Sequence, residues 1–515
     1  MIRVPRTAVP GLVTLAVLRL PSLMEPHWYT DEAGYVNVAR SLLNGKVLYS
    51  ETWNNKPPLM LWTIAGEVKL LGSSEAGLHV LTMITGLLAV GAIVWAAERL
   101  YSPGRAVLAG VIAAVVLGVP ILDAELAIPE SLMIAPLTWA GAIVLVHIRR
   151  GDATPPLRRV PRWPVLVGAL VAAAIAYQQT AIAETAAFFL AMLIAPKLLR
   201  RDAFIFLGTV TLITVAWLAV AIISAGLSNV VFALAGFYVG YTQKVLPSSA
   251  GGVLAHFGLA AFATLLIAVG AYLARNRERL DWVLLLWSGA TLLVTAVAGQ
   301  PFPHFLAPAV APLALLVAGI SMPVPARLRN GGWRPVADVA PQLAGVLIAS
   351  LMASVAGLDW LPLVTLAPGA THTLSQYYGG AVQAALSSNG WTAWGNNFDA
   401  RVEGDTDVVD WLTQHGLRGA TAVIWSSDAW VYALADLQVV LPTPPIYNDE
   451  VLLGFNGPAE EAVANARPVV IVTAEDSLQQ YPEIARLLDG VQYVNEFQSY
   501  PDTVWVRSDM AARLP

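Results

Sequence analysis

The chain runs to 515 residues, 57% of them hydrophobic and only 13% charged, with a mean hydropathy of +0.62. Soluble domains carry about 25% charged residues, so the composition excludes an ordinary soluble protein and indicates an α-helical polytopic membrane protein. The net charge of −5 gives a nucleic-acid partner no support, and the absence of cysteine excludes disulfides, thiolate catalysis and Cys-ligated metals.

The first apolar run, 8–24, follows Arg3 and Arg6 as in a signal peptide, but no small-residue cleavage site comes after it, so it reads as a retained first span. In the next stretch, HWYTDEAGYVNVARSLL at 27–43, Tyr35, Val36, Ala39, Leu42 and Leu43 recur at helical spacing. Thr30 or Asp31 is placed to cap that helix, which is expected to lie on the membrane surface. The helix dipole and free N–H groups favour an anion at Asp31, which suits a proton acceptor; the plainer reading makes Asp31 a cap and nothing more. Further on, NNKPPLMLW at 54–62 sets Lys56 before two prolines that keep it out of the following helix. Its ammonium is then held at the rim of the lipid phase, where it either meets an anionic headgroup or simply snorkels.

A span needs about 20 apolar residues, and further runs of that order lie near 77–97, 105–122, 130–148, 204–224, 253–273, 281–299, 303–321 and 340–358. The segment 164–196 follows Arg149, Arg150, Arg158, Arg159 and Arg162 and precedes Lys197, Arg200 and Arg201. The positive-inside rule puts both clusters in the cytoplasm, so the segment reads as a hairpin of two short helices bent at 177–184. Counted this way there are about 11 spans with the N-terminus inside. The clusters Arg99 with Arg105, Arg275 with Arg277 and Arg279, and Arg327 with Arg329 and Arg334 also fall inside, leaving the first loop, 25–76, and the C-terminus outside.

From about 362 the composition turns polar. Strand-like 421–425, 468–472 and 503–507 alternate with helix-like 406–415, 428–436 and 476–489, a pattern that suggests a small α/β domain. The expected organisation is a membrane domain at 1–361 and an extracytoplasmic α/β domain at 362–515. No repeat and no phosphate-binding loop of the Walker type occurs, so ATP-driven transport has no support.

Other polar residues stand out against this background. The external loop 121–135 carries Asp123, Glu125 and Glu130, with Pro129 placed to start the next helix. Such acids are often ordinary solvated loop charges. Gln178 and Gln179 sit at the bend of the hairpin, and polar side chains at that depth usually face a cavity. The external segment 237–247 contains Tyr238, Tyr241 and Lys244, and QPFPHF at 300–305 contains His304. A lone histidine beside apolar residues is more often simply hydrogen-bonded in place.

An Asp-Glu pair after the first span, an interfacial helix, and Asn-Lys-Pro-Pro-Leu before the second span together resemble the GT-C glycosyltransferases. The resemblance is specifically to the group that holds the protein O-mannosyltransferases and the lipid A aminoarabinose transferase. It extends over most of the spans and only weakly to the tail. It implies an enzyme of the cell (plasma or inner) membrane that takes its sugar from a polyprenyl-phosphate donor. It further implies that Glu130, with Asp123 and Glu125 as a variant of the family's paired acids, faces the active site. Gln178 and Gln179 would contribute to the donor pocket, and His304, with an aromatic and prolines at the outer end of a late span, would donate to the departing phosphate or orient the lipid. Arginine is scarce on the external face of the membrane domain, so phosphate binding would rest on Lys56, Lys244 and His304, with Tyr238 and Tyr241 alongside, and not on a bidentate Arg.

The expected reaction is a single inverting displacement, with Asp31 taking the acceptor proton, Lys56 countering the phosphate, and Glu32 and Glu130 positioning sugar or acceptor. Carboxylates beside a phosphate can hold a divalent ion, but their spacing carries no ligand signature, and no cofactor is expected to be required. The acceptor is a lipid, glycan or protein hydroxyl, and the sugar is a hexose or pentose. The competing class is a transporter or flippase of a lipid-linked sugar. Against it, no pair of interrupted helices recurs in matching halves.

Overall fold

A computed structural model describes residues 5–150, 162–195, 200–244, 279–298 and 302–319, and from 365 onward the segments 365–366, 370–371, 374–396, 398–399, 401–426, 429–443, 459–474, 487–488 and 491–514. Two compact units are present. One comprises Met1–Leu20, Val80–Leu218 and Ser248–Leu363, and the other Pro21–His79, Ala219–Pro247 and Val364–Pro515.

Among the described residues, four helices are long and apolar enough to cross a membrane: Arg6–Met24, Glu75–Leu100, Pro129–Arg149 and Arg200–Ala225. Six shorter apolar helices accompany them: Pro103–Gly118, Arg162–Tyr177, Gln179–Ile194, Leu227–Gly240, Trp282–Val294 and Pro303–Gly319. The protein is thus a multi-pass membrane protein. The segments 253–273 and 340–358, expected to span, lie outside the described residues, as do nearly all of 476–489.

In the first unit the segment 164–196 forms two helices that break at Gln178, whose extended backbone (φ −150°, ψ 122°) separates Arg162–Tyr177 from a short turn at 179–181 and the helix Ile182–Ile194. The apolar core of this unit is small-residue rich: Ala89, Ala92, Ala96, Ala113, Ala140 and Ala174 are buried alongside Leu117, Leu137 and Val144. Small side chains let helices approach closely in a medium where no hydrophobic force drives them together. At Gly141 a Cβ would run into the indole of Trp287, which packs edge-on against Phe188 with centroids 5.2 Å apart.

In the second unit the helix Thr30–Leu43 packs on the helix Pro58–Leu71 and on the short helix Trp430–Leu434. The expected side-chain cap is absent. The helix begins one residue early, at Thr30, because Tyr29 takes the extended cap position (φ −93°, ψ 113°), and no side chain caps it. The carbonyl of Tyr29 is engaged by the indole N–H of Trp430 at 3.0 Å. Beyond residue 420 five strands form a mixed sheet in the order 438–439, 421–425, 470–474, 502–507, 493–499. The first three run parallel and the last two join antiparallel. The strands 421–425 and 470–474 are buried along almost their whole length, as parallel strands covered on both faces are.

Candidate active site

Each unit gathers its own set of the polar residues singled out in the sequence. In the second unit, Asp31 and Glu32 occupy the second and third positions of the helix Thr30–Leu43, where backbone N–H groups are not used by the helix itself. Asp31 lies 3.4 Å from the hydroxyl of Tyr35, one turn on. Glu32 is 1% exposed and faces His79, with Oε1 3.4 Å from Nε2. The other ring nitrogen of His79 lies against the carbonyl of Ser22. A carbonyl only accepts, so Nδ1 carries a hydrogen, and the contact at Nε2 is favourable only when a proton is shared between imidazole and carboxylate.

Lys56 ends a tightly held loop. Its backbone N–H donates to Asn54 Oδ1 at 3.1 Å, its carbonyl accepts from the hydroxyl of Tyr49 at 2.8 Å, and the carbonyl of Asn55 accepts from Tyr238 at 3.2 Å. Pro57 takes the extended conformation (φ −62°, ψ 156°) and Pro58 starts the next helix, so the lysine stands just ahead of the helix, as the two prolines dictate. Trp53 is 3% exposed and lies 6.2 Å from Phe232 and 5.4 Å from Phe237, ring to ring. The π-helical turn Phe232–Gly236 between those two phenylalanines is a feature often found at functional positions. Tyr241 and Lys244 belong to the helix Phe237–Lys244, and their side chains lie outside the described residues.

Sequence reading passed over a group of buried acids and histidines in this unit. Glu25 is 6% exposed, accepts from Trp28 Nε1 at 3.1 Å and from the Tyr377 hydroxyl, and burial pushes its carboxyl above the ordinary carboxylate range. His27 lies 3.8 Å from Glu75 and 4.0 Å from Asp405, and burial lowers its pKa to about 4. Glu67 is 6% exposed, neither of its carboxylate oxygens has a hydrogen-bond partner among the described residues, and burial, with a contribution from Glu32, raises its pKa to about 7. No spacing rule would have found these residues, because their neighbours are distant in sequence.

In the first unit, Asp123 takes a left-handed backbone (φ 48°) in the loop before Pro129, and its carboxylate meets Nδ1 of His304 at 3.1 Å. His304 in turn stacks on Phe302, with centroids 5.3 Å apart and planes 10° from parallel. Glu130 is 2% exposed and accepts from the amide of Gln178 at 2.7 Å. Gln178, and not Gln179, thus holds the acid, while the Gln179 side-chain oxygen is buried with no partner among the described residues. Glu125 is 2% exposed, and its backbone carbonyl accepts from Thr82 at 2.5 Å. The geometry therefore joins Asp123 to His304 and Glu130 to Gln178 here, and Tyr238 to the Lys56 loop in the other unit.

The family described as dolichyl-phosphate-mannose-protein mannosyltransferase matches residues 55–223, from the Lys56 loop through the helix that ends at Ala225. The fold is similar to that of ArnT from Cupriavidus metallidurans bound to undecaprenyl phosphate, with 16% identity, coverage of 98% of each chain and a TM-score of 0.59. It is similar as well to the apo form of that protein, with 17% identity, coverage of 96% of this chain and 97% of that one, and a TM-score of 0.58. A lower TM-score, 0.47, is found to the oligosaccharyltransferase AglB from Archaeoglobus fulgidus, at 14% identity and with 97% of this chain and 74% of that one covered. No curated protein matches the chain by sequence. These matches bear out the resemblance to the GT-C glycosyltransferases of the protein O-mannosyltransferase and aminoarabinose transferase group.

Proposed function

We propose that the protein moves a sugar from a polyprenyl-phosphate donor to an acceptor hydroxyl on the outer face of the membrane, inverting the anomeric centre. The observation that carries this reading is a fold shared over 98% of the chain with a protein whose structure contains undecaprenyl phosphate. The acceptor oxygen attacks the anomeric carbon, the bond from that carbon to the phosphate oxygen breaks, and its electron pair leaves on polyprenyl phosphate. A phosphate leaves as a stable anion and needs no general acid, so one base and countercharge suffice. Asp31 takes the acceptor proton and Lys56 counters the phosphate. Glu32, held by His79, positions sugar or acceptor.

The test is incubation of purified protein with a panel of polyprenyl-phosphate sugars. Release of free polyprenyl phosphate marks transfer, whereas a flippase leaves every donor intact. Asp31→Asn and Lys56→Ala should each lower turnover by at least about 10²-fold while inserting and folding normally, and ordinary turnover in either would remove that residue from the mechanism.

A further inference from the structure

The helix carrying Asp31 is fastened to the C-terminal segment by a set of hydrogen bonds. Both amide hydrogens of Asn37, a residue with no exposed surface, are used, one on the carbonyl of Ala33 in its own helix and one on the carbonyl of Ala429, each at 2.8 Å. One turn on, the Arg40 guanidinium donates to the carbonyl of Tyr432 at 2.7 Å and to Asp436 at 2.5 Å. At the start of the helix, Trp430 donates to the carbonyl of Tyr29.

The four tail groups share the short helix Trp430–Leu434 and its flanks, and that helix is itself tied to the sheet. The hydroxyl of Tyr432 accepts from the backbone N–H of Ile424 at 2.8 Å and donates toward the carbonyl of Ala422 at 3.4 Å, both in the strand 421–425. A continuous series of bonds therefore runs from the buried sheet, through one short helix, to both ends of the helix that bears Asp31 and Glu32. Contacts to backbone carbonyls at both ends fix translation and rotation together, which is what a reacting group needs: a displacement of about 1 Å can cost about 10²-fold in rate.

We propose that Asn37, Arg40 and Trp430 are positioning residues for the transfer reaction, so that the C-terminal segment sets the place of the acidic helix. This rests on the function proposed above. The test uses the full-length protein, with the polyprenyl-phosphate sugar most rapidly consumed in the panel as substrate and amide hydrogen exchange of 30–43 as a second readout.

Arg40→Ala is expected to lower kcat at least tenfold, with KM for the donor within twofold and the unfolding midpoint in detergent unchanged, and to speed exchange in 30–43. Arg40→Lys, which keeps one donor for the Tyr432 carbonyl, should recover part of kcat, and Glu403→Gln, an exposed change on another tail helix, should leave kcat and exchange as they are. A kcat within twofold of the unaltered protein together with unaltered exchange overturns the proposal, as does a loss of kcat that merely tracks a fall in the unfolding midpoint. Should Arg40→Ala fail to fold, Asp436→Asn takes its place: Asp436 is largely exposed, and an unchanged kcat there overturns the proposal. If the unaltered protein consumes no donor, the function above fails. The exchange arm then decides alone, faster exchange in 30–43 of Arg40→Ala supporting the fastening role and unaltered exchange overturning it.

Discussion

Glu67 shows how burial can make a side chain pH-sensitive. Its carboxyl is lifted from 4.5 to about 7, chiefly by desolvation, so between those values the folded protein holds a proton that the unfolded chain gives up. Stability linked to Glu67 is therefore complete at low pH and is lost as pH rises through that window. Glu67→Gln removes the titration, so its unfolding midpoint, compared with the unaltered protein, should improve steadily between about pH 4.5 and 7 and be level on either side. A pH-independent difference in paired melting curves would contradict this. His27 acts in the opposite direction. Its pKa falls from 6.5 to about 4 through burial, and its contribution is present above 6.5 and lost as pH drops. His27→Gln should flatten the acid side of the same curve, a change that melting at pH 4 to 7 would detect. Neither residue attracts notice in the sequence, since what shifts them is burial, joined at Glu67 by the nearby charge of Glu32.

At the scale of elements, the helix Pro129–Arg150 depends on a missing side chain. Gly141 faces Trp287, and a methyl group there would have to displace an indole that is itself wedged against Phe188. Gly141→Ala should destabilise the protein by about 1–3 kcal/mol, the usual cost of overpacking, visible as a lower unfolding midpoint in detergent, and a midpoint equal to that of the parent would show that Trp287 can move aside. Other elements were open to sequence reasoning. The two short helices at 162–194 follow from arginines on both flanks, and the helix at 30–43 from its apolar spacing. The strands 421–425 and 502–507 were marked by β-branched runs. What escaped was set by distant partners: the carbonyl at the start of the 30–43 helix meets Trp430, and Glu130 pairs with Gln178 where the hairpin breaks. The strand 493–499 was missed because its polar residues Asn495, Glu496 and Gln498 dilute the alternation that marks a half-buried strand.

For the molecule as a whole, the distribution of arginine proposes an orientation, and the lack of cysteine makes it simple to test. A single cysteine at Glu496, exposed in the C-terminal segment, should react with a membrane-impermeant maleimide in intact cells, while one at Arg149, exposed at the end of its helix, should react only after permeabilisation. The reverse labelling would invert the proposed orientation. The fastening of the 30–43 helix also has a meaning in time. Asn37 and its partner Ala429 are 392 residues apart, so at about 5–20 residues per second the helix bearing Asp31 would leave the ribosome roughly 20–80 s before the segment that secures it. A half-made protein already threaded into the membrane would carry its acid unsecured until the segment 429–436 has emerged.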